Sequence, residues 1–221
     1  MGSKVSLTAS DGHELGAYLA PPRGARRGGL VIMHEAFGVN DYIRMTVDQY
    51  AAEGYETIAP AIYDRQRRDA ECHYSGDDLM QARTLRRGLD WDLVTADVGA
   101  AVKAVTADGK VGIVGYCVGG SIAWLAGHRL PVAAAVSYYG RDIVNMLDEE
   151  PRCPCLLHFG DRDHHIPLSD VEKITAAYPE LAIQIFPAEH GFSREGSSSY
   201  EPKSAGIART RTLALLRKFV G

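Results

Sequence analysis

Short apolar runs alternate along this chain with longer stretches in which apolar residues recur every three or four positions. Residues 4–9 and 15–20 read as strands, and the Asp11-Gly12 dipeptide between them supplies the backbone freedom of a tight hairpin turn. They are expected to pair antiparallel at a sheet edge. Further strand-like runs follow at 30–33, 55–62, 111–114, 132–138, 155–159 and 182–186. Helical periodicity covers 41–53, 77–88, 92–107, 120–128, 169–178 and 201–219, with Asp108-Gly109 closing the third of these. Strands separated by helices of ten or more residues require crossover connections, so the pattern predicts an α/β fold: a mostly parallel sheet with helices on both faces.

The segments between these elements have distinct characters. Residues 21–29 hold two prolines, three glycines and three arginines, which reads as an exposed loop with a solvated basic surface. Residues 63–76 are charged and aperiodic and are expected to lie over the sheet edge as a loop or lid. Nothing resembling a linker, repeat or low-complexity segment divides the 221 residues, so one domain over 1–221 is expected.

Composition narrows the function. A hydrophobic share of 46% builds a sizeable core, while a net charge of -4 offers no attraction to phosphate backbones or anionic lipid. Nucleic acid and membrane partners are therefore not expected, and neither an 18-residue apolar run nor a secretory start is seen. A soluble, cytoplasmic protein is the expectation. The four cysteines, Cys72, Cys117, Cys153 and Cys155, do not form a disulfide framework in a chain of this length. Cys153-Pro154-Cys155 sends two side chains to one face of an extended segment but has no second Cys/His pair with zinc spacing; small apolar residues entering a strand are the expected reading.

Candidate chemistry centres on KVGIVGYCVGGS at 110–121. A strand that feeds a helix through Gly115-Tyr116-Cys117-Val118-Gly119 has the form of a nucleophile elbow, in which glycines permit a sharp turn and the middle side chain is presented at the top of the sheet. Two later strands end in matching groups: Gly160-Asp161-Arg162-Asp163-His164-His165-Ile166-Pro167, and Pro187-Ala188-Glu189-His190-Gly191-Phe192. Nucleophile, acid and histidine in that chain order, each just beyond a strand, is the order of an α/β-hydrolase triad. A thiolate attacks an ester carbonyl, an imidazole moves the proton, and a carboxylate fixes the imidazole tautomer. Asp161 and Asp163 both compete for the acid. The oxyanion calls for backbone donors, which the elbow supplies from Val118 and an earlier strand end from Ala36.

These residues resemble the dienelactone hydrolases, or carboxymethylenebutenolidases. The likeness runs through Asp11-Gly12-His13, His34-Glu35-Ala36-Phe37-Gly38-Val39-Asn40, Gly115 to Gly120, Ser137-Tyr138-Tyr139-Gly140, Gly160 to Pro167 and His190-Gly191-Phe192-Ser193-Arg194. The resemblance implies an α/β-hydrolase fold, a monomer, no cofactor or metal, and hydrolysis of a carboxymethylene-bearing unsaturated lactone to maleylacetate. It also implies that the acid is Asp163, and that Glu35 contacts the resting thiol of Cys117 and takes its proton when substrate arrives. Read from the residues alone, Glu35 is equally a cap or ion-pair partner.

The implied substrate carries a carboxylate, which a guanidinium grips through both oxygens. Arg194 matches one such arginine of the family. At the position of the second, an ungapped reading finds Leu79; either Arg83, one helical turn on, reaches the same space, or the second clamp is missing. Phe37 and Tyr138, at strand ends, are the other candidate substrate contacts, and His164 and His165 are expected at the rim. Trp91 and Trp124 fit core positions on helices, and His34, Cys72 and His73 have no evident partners. The same set of residues would also serve a broader carboxylesterase or thioesterase. A non-catalytic binding or redox-sensing protein retaining Cys117 is the reading from another class, and it has no need of Glu35, Cys117, Asp163 and His190 together.

Overall fold

The structure, a computed structural model, describes residues 1–107 and 109–221. Asp108, expected to help close a helix, lies outside the described residues. Eight strands form one sheet: β1 (Ser3–Thr8), β2 (Glu14–Ala20), β3 (Gly28–Met33), β4 (Tyr55–Pro60), β5 (Val111–Tyr116), β6 (Ala134–Tyr138), β7 (Cys155–Gly160) and β8 (Ala182–Phe186). Their order is β1-β2-β4-β3-β5-β6-β7-β8. The β1/β2 hairpin is antiparallel, with Ser6 opposite Gly16, and β2 pairs antiparallel with β4. Every pairing from β4 through β8 is parallel.

Among the described residues six α-helices cover the sheet: α1 (Asp41–Ala52), α2 (Asp77–Arg87), α3 (Trp91–Thr106), α4 (Val118–Arg129), α5 (Leu168–Ala177) and α6 (Pro202–Phe219). Capping residues begin three of them. Asn40 accepts from the Ile43 N–H at 3.2 Å, Asp90 accepts from Asp92 and Leu93, and Glu201 accepts from Ser204 with Pro202 in the first turn. On one face α3 packs on α4, and Tyr178 after α5 meets Trp124 of α4 ring to ring at 5.3 Å. On the other face α6 reaches the end of α1 through Arg209 and Glu53.

Helices on both faces leave the central strands no wet side. All residues of β3, β5, β6 and β7 are accordingly buried, and their Val, Ile, Leu and Ala content is the continuous apolar run that a parallel sheet requires. Trp91 and Trp124 pack in or against this core as the helical spacing indicates.

From β3 the chain steps outward to β4, whereas β5 leads the other way through β6, β7 and β8. The carboxyl ends of β3 and β5 therefore flank the point where the winding reverses, the crevice in which sheets of this kind bind ligands. Glu35 follows β3 there and Cys117 follows β5.

Candidate active site

Cys117 sits between β5 and α4 with φ +57, a left-handed conformation that few non-glycine residues adopt. Its N–H donates to the Tyr138 carbonyl at 3.0 Å, and its own carbonyl accepts from Gly120 at 2.9 Å. The turn closes because its flanking glycines carry no side chain. A Cβ on Gly115 would overlap the Gly119 carbonyl, and one on Gly119 would overlap the carbonyls of Met33 and His34. Those hydrogen bonds let α4 start at Val118, two residues earlier than the periodicity indicates. Val118 is thus a leading helical residue, whose N–H has no acceptor within the helix. Ala36, in the loop after β3, is partly exposed.

His190, in the loop after β8, reaches back to both partners. Its Nδ1 lies 2.7 Å from Asp163 Oδ2 and its Nε2 lies 3.2 Å from Cys117 Sγ. Of the two candidate acids it is Asp163 that approaches the histidine; its other oxygen accepts the His165 N–H at 2.8 Å. Asp161 instead accepts from the Ala188 N–H at 3.2 Å. Burial opposes a charge on His190, but the negative charge of a Cys117 thiolate and the Asp163 carboxylate outweigh it and push the imidazole up to about 10. His165 meets His190 edge-on at 5.0 Å, at the exposed rim.

Glu35 follows β3 beside Cys117, and its side chain bonds two other groups. Its carboxylate, only 2% exposed, accepts from Arg194 at 3.1 Å and from the Tyr139 hydroxyl at 3.4 Å. Among the described residues no hydrogen bond joins it to the Cys117 sulfur, which faces His190 instead. The physical reason is charge: the guanidinium offers the buried carboxylate both an opposite charge and an N–H donor.

Arg194 in turn is stacked. Its guanidinium carbon lies 4.0 Å from the centre of the Tyr74 ring and 5.9 Å from that of Phe37, and the two rings are 4.3 Å apart. Tyr74 belongs to the 63–76 segment, and Asn40 donates to its hydroxyl at 2.9 Å. The segment therefore lies against the site, as expected of a loop over the sheet edge, and a short 3-10 turn at Ile62–Arg65 begins it. Nothing in the sequence singles out Tyr74.

Tyr138 corrects an expectation. It is buried, its hydroxyl pairs with Thr212 of α6 at 2.7 Å, and its ring stacks on Tyr116 at 4.8 Å, all on the far face of the sheet. Its neighbour Tyr139, at φ +41, turns into the site and bonds Ser193 at 2.8 Å. β6 ends at Tyr138, and the left-handed turn at Tyr139 redirects the chain, so the two adjacent rings part. Arg83 is exposed on α2, with no ion pair among the described residues. Arg86, one turn closer to the loop after β6, holds Asp142 at 2.7 and 2.8 Å, and the Asp142 N–H donates to Ser121 of α4 at 2.9 Å.

His34 and Tyr63 lie beneath the site with rings 4.9 Å apart. His34 Nδ1 is 2.6 Å from the Glu35 carbonyl, and burial lowers its pKa to about 4. Among the described residues no group of three or more His, Cys, Asp or Glu side chains could hold a metal ion, and no helix is long and apolar enough to cross a membrane.

Comparison with known proteins agrees with this architecture. The dienelactone hydrolase family model matches residues 15–220. The chain belongs to the dienelactone hydrolase family. A carboxymethylenebutenolidase from Pseudomonas putida is 33% identical over 96% of this chain and 94% of its own. Carboxymethylenebutenolidase 1 from Cupriavidus pinatubonensis is 29% identical, covering 96% and 95%. A crystal structure from Klebsiella pneumoniae, assigned as a dienelactone hydrolase, superposes with a TM-score of 0.82 at 28% identity, covering 98% of this chain and all of that one. Members of this dienelactone hydrolase family are α/β-hydrolases that act on ester bonds, and so is this chain.

Proposed function

We propose that this enzyme opens a dienelactone ring to maleylacetate with Cys117 as nucleophile, His190 as proton carrier and Asp163 as the group that orients His190. The observation that carries the reading is the unbroken line of contacts, 2.7 Å from Asp163 to His190 and 3.2 Å from His190 to Cys117. The thiolate adds to the lactone carbonyl, and the N–H groups of Val118 and Ala36 receive the oxyanion. Collapse breaks the ring C–O bond; the leaving oxygen takes a proton from His190 and a thioester to Cys117 remains. Water, deprotonated by His190, then hydrolyses that thioester and returns the thiol.

Glu35 and Arg194 set the timing in this proposal. A substrate carboxylate that approaches Arg194 competes with Glu35 for the guanidinium, and the released Glu35 turns toward the thiol and takes its proton. Phe37 and Tyr74 hold the arginine plane while the exchange occurs.

A wider carboxylesterase is the second reading. It is favoured by one observation: Arg83 is exposed and without an ion pair among the described residues, so of the two candidate clamps Arg194 alone contacts a residue of the site. The experiment compares kcat/KM for cis- and trans-dienelactone with that for p-nitrophenyl acetate, in the native chain and in Cys117→Ala. Loss of every activity in Cys117→Ala with an unchanged circular dichroism spectrum is expected, and surviving turnover rejects the nucleophile. Preference for the lactones supports the first reading, and preference for the neutral ester replaces it with the second.

A further inference from the structure

Cys153 and Cys155 lie at the amino end of β7, whereas Asp163 and the catalytic loops follow its carboxyl end. Both are free thiols. Their sequence context suggests small apolar residues entering a strand, but the two sulfurs converge. A Cβ on Gly127 of α4 would stand 3.2 Å from the Cys155 sulfur and 3.4 Å from that of Cys153. Cα atoms two residues apart span at most about 7 Å, and the chain bends at Cys153, which brings the pair within the span of roughly 4.4–6.8 Å that a disulfide bridges.

The segment is anchored and its two thiols are unequal. Pro154 restricts the backbone between them, and its carbonyl accepts from the Ala135 N–H at 3.0 Å. Cys153 is partly exposed and borders a surface cleft of about 450 Å3 walled by Pro151, Tyr178, Pro179 and Leu215. Cys155 lines the same cleft but is only 6% exposed. The Cys155 thiol holds Cys153 below the ordinary thiol range, while the bond to Cys153 and burial push Cys155 up. An accessible thiol that ionises readily beside a sheltered one that keeps its proton is the division of labour between an attacking and a resolving cysteine.

We infer that Cys153 and Cys155 form a thiol–disulfide exchange site, apart from Cys117, whose oxidant is a low-molecular-weight disulfide. The Cys153 thiolate attacks one sulfur of that disulfide; a mixed disulfide forms, and one half leaves as a thiolate that takes up the proton Cys153 gave away. Cys155 then loses its proton and attacks the Cys153 sulfur. The Cys153 to Cys155 bond forms, and the second half departs and is protonated. One disulfide is reduced to two thiols, and the pair has given up two electrons and two protons. The side-chain-free surface of Gly127 gives the two sulfurs room to meet.

The test uses the full chain carrying Cys117→Ala, so that the catalytic thiol cannot react, with oxidised glutathione as probe and peptide mass mapping as readout. The peptide containing both cysteines should lose two hydrogens, retain no glutathione, and regain the hydrogens with dithiothreitol. Cys155→Ser on the same background should trap glutathione on Cys153, whereas Cys153→Ser should modify Cys155 at least about tenfold more slowly, because that sulfur is sheltered. Absence of the mass loss, a bridge to Cys72, or equal trapping in the two serine variants overturns the inference. Should a serine variant not fold, as judged by circular dichroism, the map of the Cys117→Ala chain decides alone.

Discussion

Arg194 holds Glu35 at 3.1 Å in a pocket where the carboxylate is almost wholly buried and the guanidinium lies on the Tyr74 ring. The pair links the loop after β8 to the loop after β3, so it ties together the two halves of the site. Neither residue is bound to the sulfur.

Removing one partner should be worse than removing both charges. Arg194→Ala leaves Glu35 uncompensated and is expected to cost on the order of 2–3 kcal/mol, less than a fully enclosed pair because the arginine keeps some solvent contact. Glu35→Gln combined with Arg194→Ala should recover part of that loss. Urea midpoints at neutral pH measure both, and an Arg194→Ala midpoint equal to that of the native chain would contradict the buried-pair account.

His190 ties activity and stability to alkaline pH. Its ordinary value of 6.5 is raised to about 10 in the folded chain, so the folded state keeps a proton that the unfolded chain gives up across that window. The resulting stabilisation is complete below 6.5 and is lost as pH rises through about 10. Ester hydrolysis should fall over the same upper limb, since a neutral imidazole has no proton for the leaving oxygen. In Asp163→Asn the limb should move to lower pH; a limb that stays in place would remove Asp163 from the relay.

Acid acts through other histidines. Burial lowers His34 to about 4 and His158 to about 3, against an ordinary 6.5. Both contribute stability that is complete above 6.5 and is lost as pH falls through those lower values, because the unfolded chain takes up the protons first. His158 Nε2 is 3.2 Å from Thr212, so His158→Gln can keep that bond without the titration. The slope of unfolding free energy between about pH 6 and about pH 4, just below the ordinary imidazole range, should be shallower in that variant.

The elbow should be intolerant of one methyl group. Gly119→Ala drives a Cβ into the backbone of Met33 and His34, which can yield only if α4 shifts away from β3. Overpacking of this kind costs about 1–3 kcal/mol, and a shift near 1 Å at the sulfur costs about 100-fold in kcat/KM. A variant that turns over at the native rate would mean that the close approach at Gly119 does not set the position of Cys117.

Much of this site could be read from the chain because its groups follow strands. Buried strands announce themselves as apolar runs, and the polar residues after 114, 159 and 186 then fall together wherever the sheet is parallel. What the pattern could not carry was direction. Tyr138 and Tyr139 are adjacent and chemically alike; which one enters the site depends on the turn at Tyr139, where φ becomes +41. Tyr74 was invisible for another reason. It lies in an aperiodic segment, and its partner Arg194 is 120 positions further along. The engagement of Glu35 by Arg194 rather than by the thiol is a competition between partners, which residue spacing does not weigh.

Helix α4 begins at the residue after Cys117 and carries Gly127, against which Cys153 and Cys155 rest, near its far end. Twelve residues at 1.5 Å each separate its two ends by about 18 Å. Trivalent arsenicals need two sulfurs within a few ångströms, so they can close on the Cys153 and Cys155 pair but cannot span from there to Cys117. Thiol reagents can therefore be sorted by valency: chelating reagents for one end of the helix, single-point electrophiles for the other.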